Sequence, residues 1–142
     1  MDIVVGALTT PTGSRAIRRA AAEADRTGGT VHVVAFVEPP RDGTAARSYQ
    51  QELVRVRQKV EAEVPALLGR EVPWEVHVPA GFSRPSDAIV NVVERLGAEL
   101  VVIGMRRRSR VGKAVLGSNA ADILLQVDCA VLSVPAPEDA NW

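Results

Sequence analysis

Between Gly104 and Ser118 the chain places two glycines around a run of cations, Arg106, Arg107, Arg108, Arg110 and Lys113, and a helical pattern begins at Gly117-Ser118. The apolar run Leu100-Val101-Val102-Ile103 leads into this stretch. A buried strand, a basic loop and a helix start in that order make a place for an anion. The N–H groups of a first helical turn have no intrahelical partners, and the helix dipole favours negative charge there. Gly104, Met105, Gly117, Ser118 and Asn119 are the candidates for backbone or hydroxyl contacts, and Arg106, Arg107 and Arg108 for phosphate charge. A guanidinium can pair with two phosphate oxygens at once. The plainer reading of the same residues is a solvated basic loop and a helix capped by Ser118.

Other chemistry finds little footing. A Walker A loop is absent, because Gly112-Lys113 is followed by Ala114 and Arg107 stands where its first glycine belongs. Receiver-domain chemistry needs carboxylates at strand ends, where this chain carries Leu8 and Val78-Pro79. His32 and His77 fall on predicted strands and read as strand residues rather than catalysts. With Cys129 as the only cysteine, they are too few for a metal site, and no metal is expected. Cys129 lies in an apolar run, so it reads as a buried, unreactive thiol, and an intramolecular disulfide is excluded. No catalytic residues are assigned.

The elements that must position the loop follow from periodicity. DIVVGAL (2–8) and TVHVVAFV (30–37) are short continuous apolar runs, as strands covered on both faces require. TTPTGS reads as a turn. Ala16, Ile17, Ala20, Ala21 and Ala24 recur at helical spacing before Gly28-Gly29. Tyr49, Leu53, Val56, Val60, Val64 and Leu67 form a longer helical stripe, in which Pro65 predicts a kink or an early end. WEVHV (74–78) alternates as a more exposed strand does. Pro85 suits a first helical turn, with Ser83 or Arg84 as cap, and Ala88, Ile89, Val92, Val93 and Leu96 continue that helix to Gly97. The strand Leu100–Ile103, a helix from about Ser118 to Gln126 and a last strand, 130–134, complete the order. Strands alternating with helices call for an open, doubly wound parallel sheet of α/β class with right-handed crossovers.

With 142 residues, the chain reads as a single domain over 1–142, ending in a polar tail at 136–142. Its 17 basic and 17 acidic residues cancel, which argues against a nucleic-acid binder. A hydrophobic fraction of 46% argues against disorder, and no apolar run approaches a membrane span. Asp2 follows Met1 directly and opens a strand-like run, so no signal peptide is expected and a cytoplasmic protein is.

These residues resemble the universal stress protein family along nearly the whole chain. The family's phosphate motif is Gly, two residues, Gly, nine residues, Gly, then Ser or Thr. Here it reads Gly104, two residues, Arg107, nine residues, Gly117, Ser118. The following Ala120-Ala121-Asp122-Ile123-Leu124 and the ending Cys129 to Pro135 are also similar to the family, with Ala130 where proline usually stands. The resemblance implies a five-stranded parallel sheet, order 3-2-1-4-5, of the adenine nucleotide alpha hydrolase-like, Rossmann-like kind, and a homodimer paired through the last strand. It implies a ligand crevice where the strand order reverses, between Leu8 and Gly104. One branch of the family binds ATP there. Other members lack nucleotide and act as non-enzymatic stress or signalling proteins through protein contacts. Both readings stay open here. Leu8 falls where that branch carries a nucleoside-facing aspartate, and leucine accepts no hydrogen bond. Val37 is placed to touch a base. Arg107 replaces a glycine that lets backbone approach phosphate, yet brings a charge of its own.

Overall fold

In the computed structural model, which describes residues 1–7, 11–41, 46–107, 114–115 and 117–135, the first apolar run forms the middle of the sheet. Strand β1 (Asp2–Gly6) pairs in parallel with β2 (Thr30–Val34) on one side and β4 (Leu100–Arg107) on the other. Beyond β2 lies β3 (Trp74–His77), and beyond β4 lies β6 (Ala130–Pro135), both parallel to their neighbours. The parallel sheet thus has five strands in the order 3-2-1-4-5 when counted along the chain, as the resemblance implies. A further two-residue strand, β5 (Ala114–Val115), pairs antiparallel with Arg106 and Arg107 at the end of β4. Sequence periodicity gives no sign of it, because two residues are too few to carry a pattern.

Four helices cover the sheet: α1 (Pro11–Thr27), α2 (Ala46–Leu68), α3 (Pro85–Leu96) and α4 (Ser118–Gln126). Successive side chains of a strand point to opposite faces, and β1 divides its own accordingly. Ile3 and Val5 join Ile17, the alanines of α1, and Val64 and Leu68 of α2. Val4 joins Ala88, Val92 and Val93 of α3 and Ile123 of α4. Ala16, Ala20, Ala21 and Ala24 are all buried, and their small side chains let α1 lie close to the strands. Each fully buried Val or Ile contributes about 1.5–3 kcal/mol of transfer free energy.

Several boundaries differ from the sequence reading. The turn expected at PTGS is instead the first turn of α1, with Pro11 at its start, where a missing N–H is harmless and the fixed φ is helical. Helix α2 continues through Pro65 to Leu68 rather than ending early. Proline there deprives the exposed Glu61 of one intrahelical donor, and water can replace it. Strand β2 stops at Val34, not at residue 37, because β3 ends at His77. The Ala35 N–H still donates to the His77 carbonyl at 2.9 Å.

The junction between α1 and β2 rests on two glycines with different duties. Gly28 takes a left-handed φ of +70° in open space. A Cβ on Gly29 would lie 2.4 Å from the Met1 carbonyl oxygen, which accepts the Thr30 N–H at 2.9 Å. Gly28→Ala is therefore expected to lower stability by about 1–2 kcal/mol through backbone strain alone. Gly29→Ala is expected to lower it by about 2–3 kcal/mol, because the backbone that starts β1 must move. Urea unfolding of the two variants checks this, and wild-type stability in Gly29→Ala would refute the close approach as the constraint.

Candidate functional site

The site assembles where β1 and β4 end and α4 begins. Sequence reasoning ends the fourth strand at Ile103 and starts the loop at Gly104. The strand instead runs to Arg107. Gly104 and Met105 pair with Val134 and Pro135 of β6, and Arg106 and Arg107 pair with Val115 and Ala114. The side chains of Arg106 and Arg107 lie outside the described residues, as do Arg108 and, at the end of β1, Leu8.

Gly117, not Ser118, is the cap of α4, in an extended conformation at φ −69° and ψ 163°. Among the described residues no side chain hydrogen-bonds to cap this helix end. Ser118 sits one residue inside the helix, so the expected serine cap is corrected to a glycine. Ala121 makes the first helical bond, donating to the Gly117 carbonyl at 2.9 Å. The N–H groups of Ser118, Asn119 and Ala120 precede that bond and belong to the unpaired first turn. Gly117, Ser118 and Asn119 are exposed. A Cβ at Gly117 would meet no atom of the described residues within 4 Å.

Asn119 has a second engagement that spacing alone does not reveal. Its Oδ1 accepts the Ser86 N–H at 3.3 Å, at the start of α3. Arg84 caps α3 with extended backbone but supplies no side-chain cap bond, so Asn119 serves as that cap from across the interface. Ser86 is fully buried and its hydroxyl lies 3.4 Å from Asp122 Oδ2. The Arg84 guanidinium donates to the same Asp122 oxygen at 3.0 Å and also pairs with Asp87. The Asp87 carboxylate beside it holds Arg84 above the usual guanidinium pKa. The first turn of α4 is thereby tied to the first turn of α3. The signal in the sequence was the cap-competent pair Asn119 and Asp122, one helical turn apart.

Val37 lies half-buried past the end of β2. Cys129, read from the sequence as buried, is half-buried, and burial pushes its thiol above the ordinary range, so the protonated form prevails at neutral pH.

The two histidines stand apart from the crevice, on the face of the sheet that carries α3. His32 on β2 is opposite Glu75 on β3, with His77 two residues along the same face. His32 is 4% exposed. Its Nδ1 lies 2.9 Å from His77 Nε2, and its Nε2 lies 2.8 Å from Asp2 Oδ1. Burial, with the neighbouring His32, holds His77 below the usual imidazole range. Counting Cys and His alone missed this group. The pattern Glu75-x-His77 on a strand facing a histidine of its neighbour is the trace that was there to be read.

Among the described residues no helix is long and apolar enough to cross a membrane. Comparison with known proteins gives a consistent result. The profile of the Universal stress protein family matches residues 1–135. The universal stress protein of Mycolicibacterium smegmatis is 31% identical over 132 residues, spanning 93% of this chain and 95% of the relative. A solved universal stress protein from Archaeoglobus fulgidus is 25% identical at a TM-score of 0.67, covering 94% of this chain and 92% of its own. One from the same organism in complex with dAMP shares the fold at a TM-score of 0.70 and 24% identity, covering 94% and 96%. With a family profile matching almost its whole length and a relative 31% identical over nearly all of both chains, this chain belongs to the universal stress protein family.

Proposed function

We propose that the chain is a non-enzymatic, cytoplasmic stress-response protein that holds the phosphate end of an adenine nucleotide, ATP in the first instance, at the start of α4. The observation that carries this reading is the exposed first turn of that helix, which among the described residues has no side-chain cap and nothing within 4 Å of a Cβ at Gly117. Such a turn attracts anions through its N–H groups and its dipole. In this reading Gly104, Met105, Gly117, Ser118 and Asn119 donate to phosphate, and Arg106, Arg107 and Arg108 supply charge. The dAMP complex of the Archaeoglobus fulgidus relative lends support. A reducing cytoplasmic setting suits a lone, half-buried, protonated thiol at Cys129.

The nucleoside end differs from the phosphate end. Leu8 stands in for a carboxylate and Val37 is apolar, so neither reads the hydrogen-bonding edge of a base. Phosphate therefore supplies the affinity and adenine little of the selectivity. Calorimetry is expected to give ATP and GTP dissociation constants within about tenfold of one another, a difference of about 1.4 kcal/mol, and no measurable binding of adenosine. Gly117→Glu is expected to abolish ATP binding without loss of thermal stability, since a Cβ there meets no atom of the described residues and a carboxylate suits a helix start. Arg107→Gly is expected to weaken binding. Silence of the wild type toward every nucleotide would overturn the reading. Binding regained only in Arg107→Gly would mean that the arginine closes the site, and a role through protein contacts alone would take its place.

The second reading, a homodimer through residues 130–134, draws on a different observation. Among the described residues β6 pairs with β4 alone, so its outer edge is open, and α4, which leads into it, leaves Leu124 51% and Leu125 84% exposed. An uncharged open edge invites a partner strand, and a two-fold copy of itself covers it. Sedimentation is expected to show a dimer at micromolar concentration. Ala130→Lys combined with Ser133→Lys, both at exposed positions, is expected to give a folded monomer. A wild-type monomer would refute this assembly.

A further inference from the structure

We propose that His32, Glu75 and His77 form a binding site for one divalent transition-metal ion of the zinc class. The three residues come from neighbouring parallel strands, and sheet register puts them on one face. His32 Nδ1, His77 Nε2 and Glu75 Oε2 all converge. Their separations are 2.9 Å between the two nitrogens, 3.4 Å from His32 Nδ1 to Glu75 Oε2, and 3.7 Å from His77 Nε2 to Glu75 Oε2. Zinc–ligand bonds of about 2.0–2.1 Å at tetrahedral angles place neighbouring ligand atoms about 3.3 Å apart. The three atoms thus already outline one face of a tetrahedron, and an ion can enter with sub-ångström side-chain adjustment.

The surroundings favour the same ion. Two imidazoles and one carboxylate suit zinc, cobalt, nickel and copper rather than calcium or magnesium, which prefer oxygen. Asp2 Oδ1 lies 2.8 Å from His32 Nε2, the far nitrogen of that ring. This carboxylate–histidine contact fixes the proton on Nε2, frees the Nδ1 lone pair for metal and raises its basicity, as outer-shell carboxylates do at zinc centres. Without the ion the 2.9 Å contact is a hydrogen bond in which His77 Nε2–H donates to His32 Nδ1; the ion takes the place of that proton, and His77 keeps its ring proton on Nδ1 when Nε2 ligates. The Glu75 side chain is 62% exposed and that of His77 17%, so the fourth position faces solvent and takes water. Two cations oppose the ion: Arg57 and Arg95 both act on His77 electrostatically. Arg57 is occupied, donating to the Val76 carbonyl at 2.7 Å, and Arg95 donates to Asn91. The carboxylates of Asp2 and Glu75 balance them. The site lies at the β3 edge of the sheet, so a bound ion would fasten the edge strand to β2.

Titration of the chelator-treated full-length protein with cobalt(II) chloride, read by visible absorption, tests the proposal independently of nucleotide binding. One equivalent is expected to give intense tetrahedral-type bands that zinc chloride abolishes by displacement. Zinc is also expected to raise the thermal midpoint of the wild type. His77→Ala and Glu75→Gln, which alter half-buried and exposed side chains, should each weaken cobalt affinity at least tenfold while leaving the far-ultraviolet circular dichroism unchanged. Asp2→Asn should weaken it by about 10–100-fold through the outer shell. Absence of the bands in the wild type overturns the proposal. So does unaltered affinity in folded His77→Ala and Glu75→Gln, which would place the ion elsewhere.

Discussion

The parallel pairing of Ile3, Val4 and Val5 with strands on both sides is the constraint from which the other features follow. These three residues are fully buried, so β1 meets helices above and below and must be apolar at every position, not alternate ones. Parallel neighbours cannot be joined by tight turns. Each connection must cross a face of the sheet, and the helices that make the crossings divide between the two faces. Helices α1 and α2 share one core cluster and α3 and α4 the other. The chain leaves β1 toward β2 and reaches β4 on the opposite flank. The connections that leave the carboxyl ends of β1 and β4 therefore run to opposite faces of the sheet, and the crevice at that point is a product of connectivity before any ligand is considered.

That dependence explains which parts of the molecule were legible in the sequence. The five strands and four helices were, because each is long enough to show a period and is bounded by glycine or proline. Helix α3 is the clearest case: Pro85 opens it and Gly97 ends it, as its apolar spacing requires. Boundaries set by long-range pairing were not legible. Strand β4 continues past Ile103 because β6 and β5 provide partners for Gly104 through Arg107, and nothing local in those residues says so. The cap of α4 was misplaced by one residue for a similar reason. Serine is the better cap in isolation, but the backbone of Gly117 already stands extended in front of the helix.

The site divides along the same line. Residue types and spacing located the helix start at Gly117 to Asn119, because a glycine and a serine opening an apolar helical pattern are a local arrangement. What joins that turn to the rest of the fold is not local. Asn119 is fixed by Ser86, and Asp122 by Ser86 and Arg84, across more than thirty residues of chain. The start of α4 is thus held by α3, and the position of its first turn depends on the packing of a neighbouring helix. The fully buried Ser86 side chain meets that turn through Asp122, whereas Asn119 is held by the Ser86 backbone N–H.

The two edges of the sheet are built on opposite plans. Strand β3 is four residues long and stands between Pro73 and Pro79, with the charged Glu75 at its middle and His77 beside it. Short length, flanking prolines and charge are the usual means of keeping an edge from pairing. Strand β6 has six residues, AVLSVP, with no charged side chain among them. His32 belongs to the first plan. A valine there would extend the apolar core, whereas a buried imidazole is tolerated only when its ring nitrogens are bonded. Asp2 and His77 meet that condition from the two flanking strands, so the polar ladder runs across β1, β2 and β3 to the edge. An edge with its side-chain polarity organised inward is poorly suited to a second copy of the chain, and the uncharged edge at β6 is left as the one where a strand can add. The same asymmetry separates the polar cluster from the crevice at the switch in strand order, since the cluster depends on β2 and β3 and the crevice on β1 and β4.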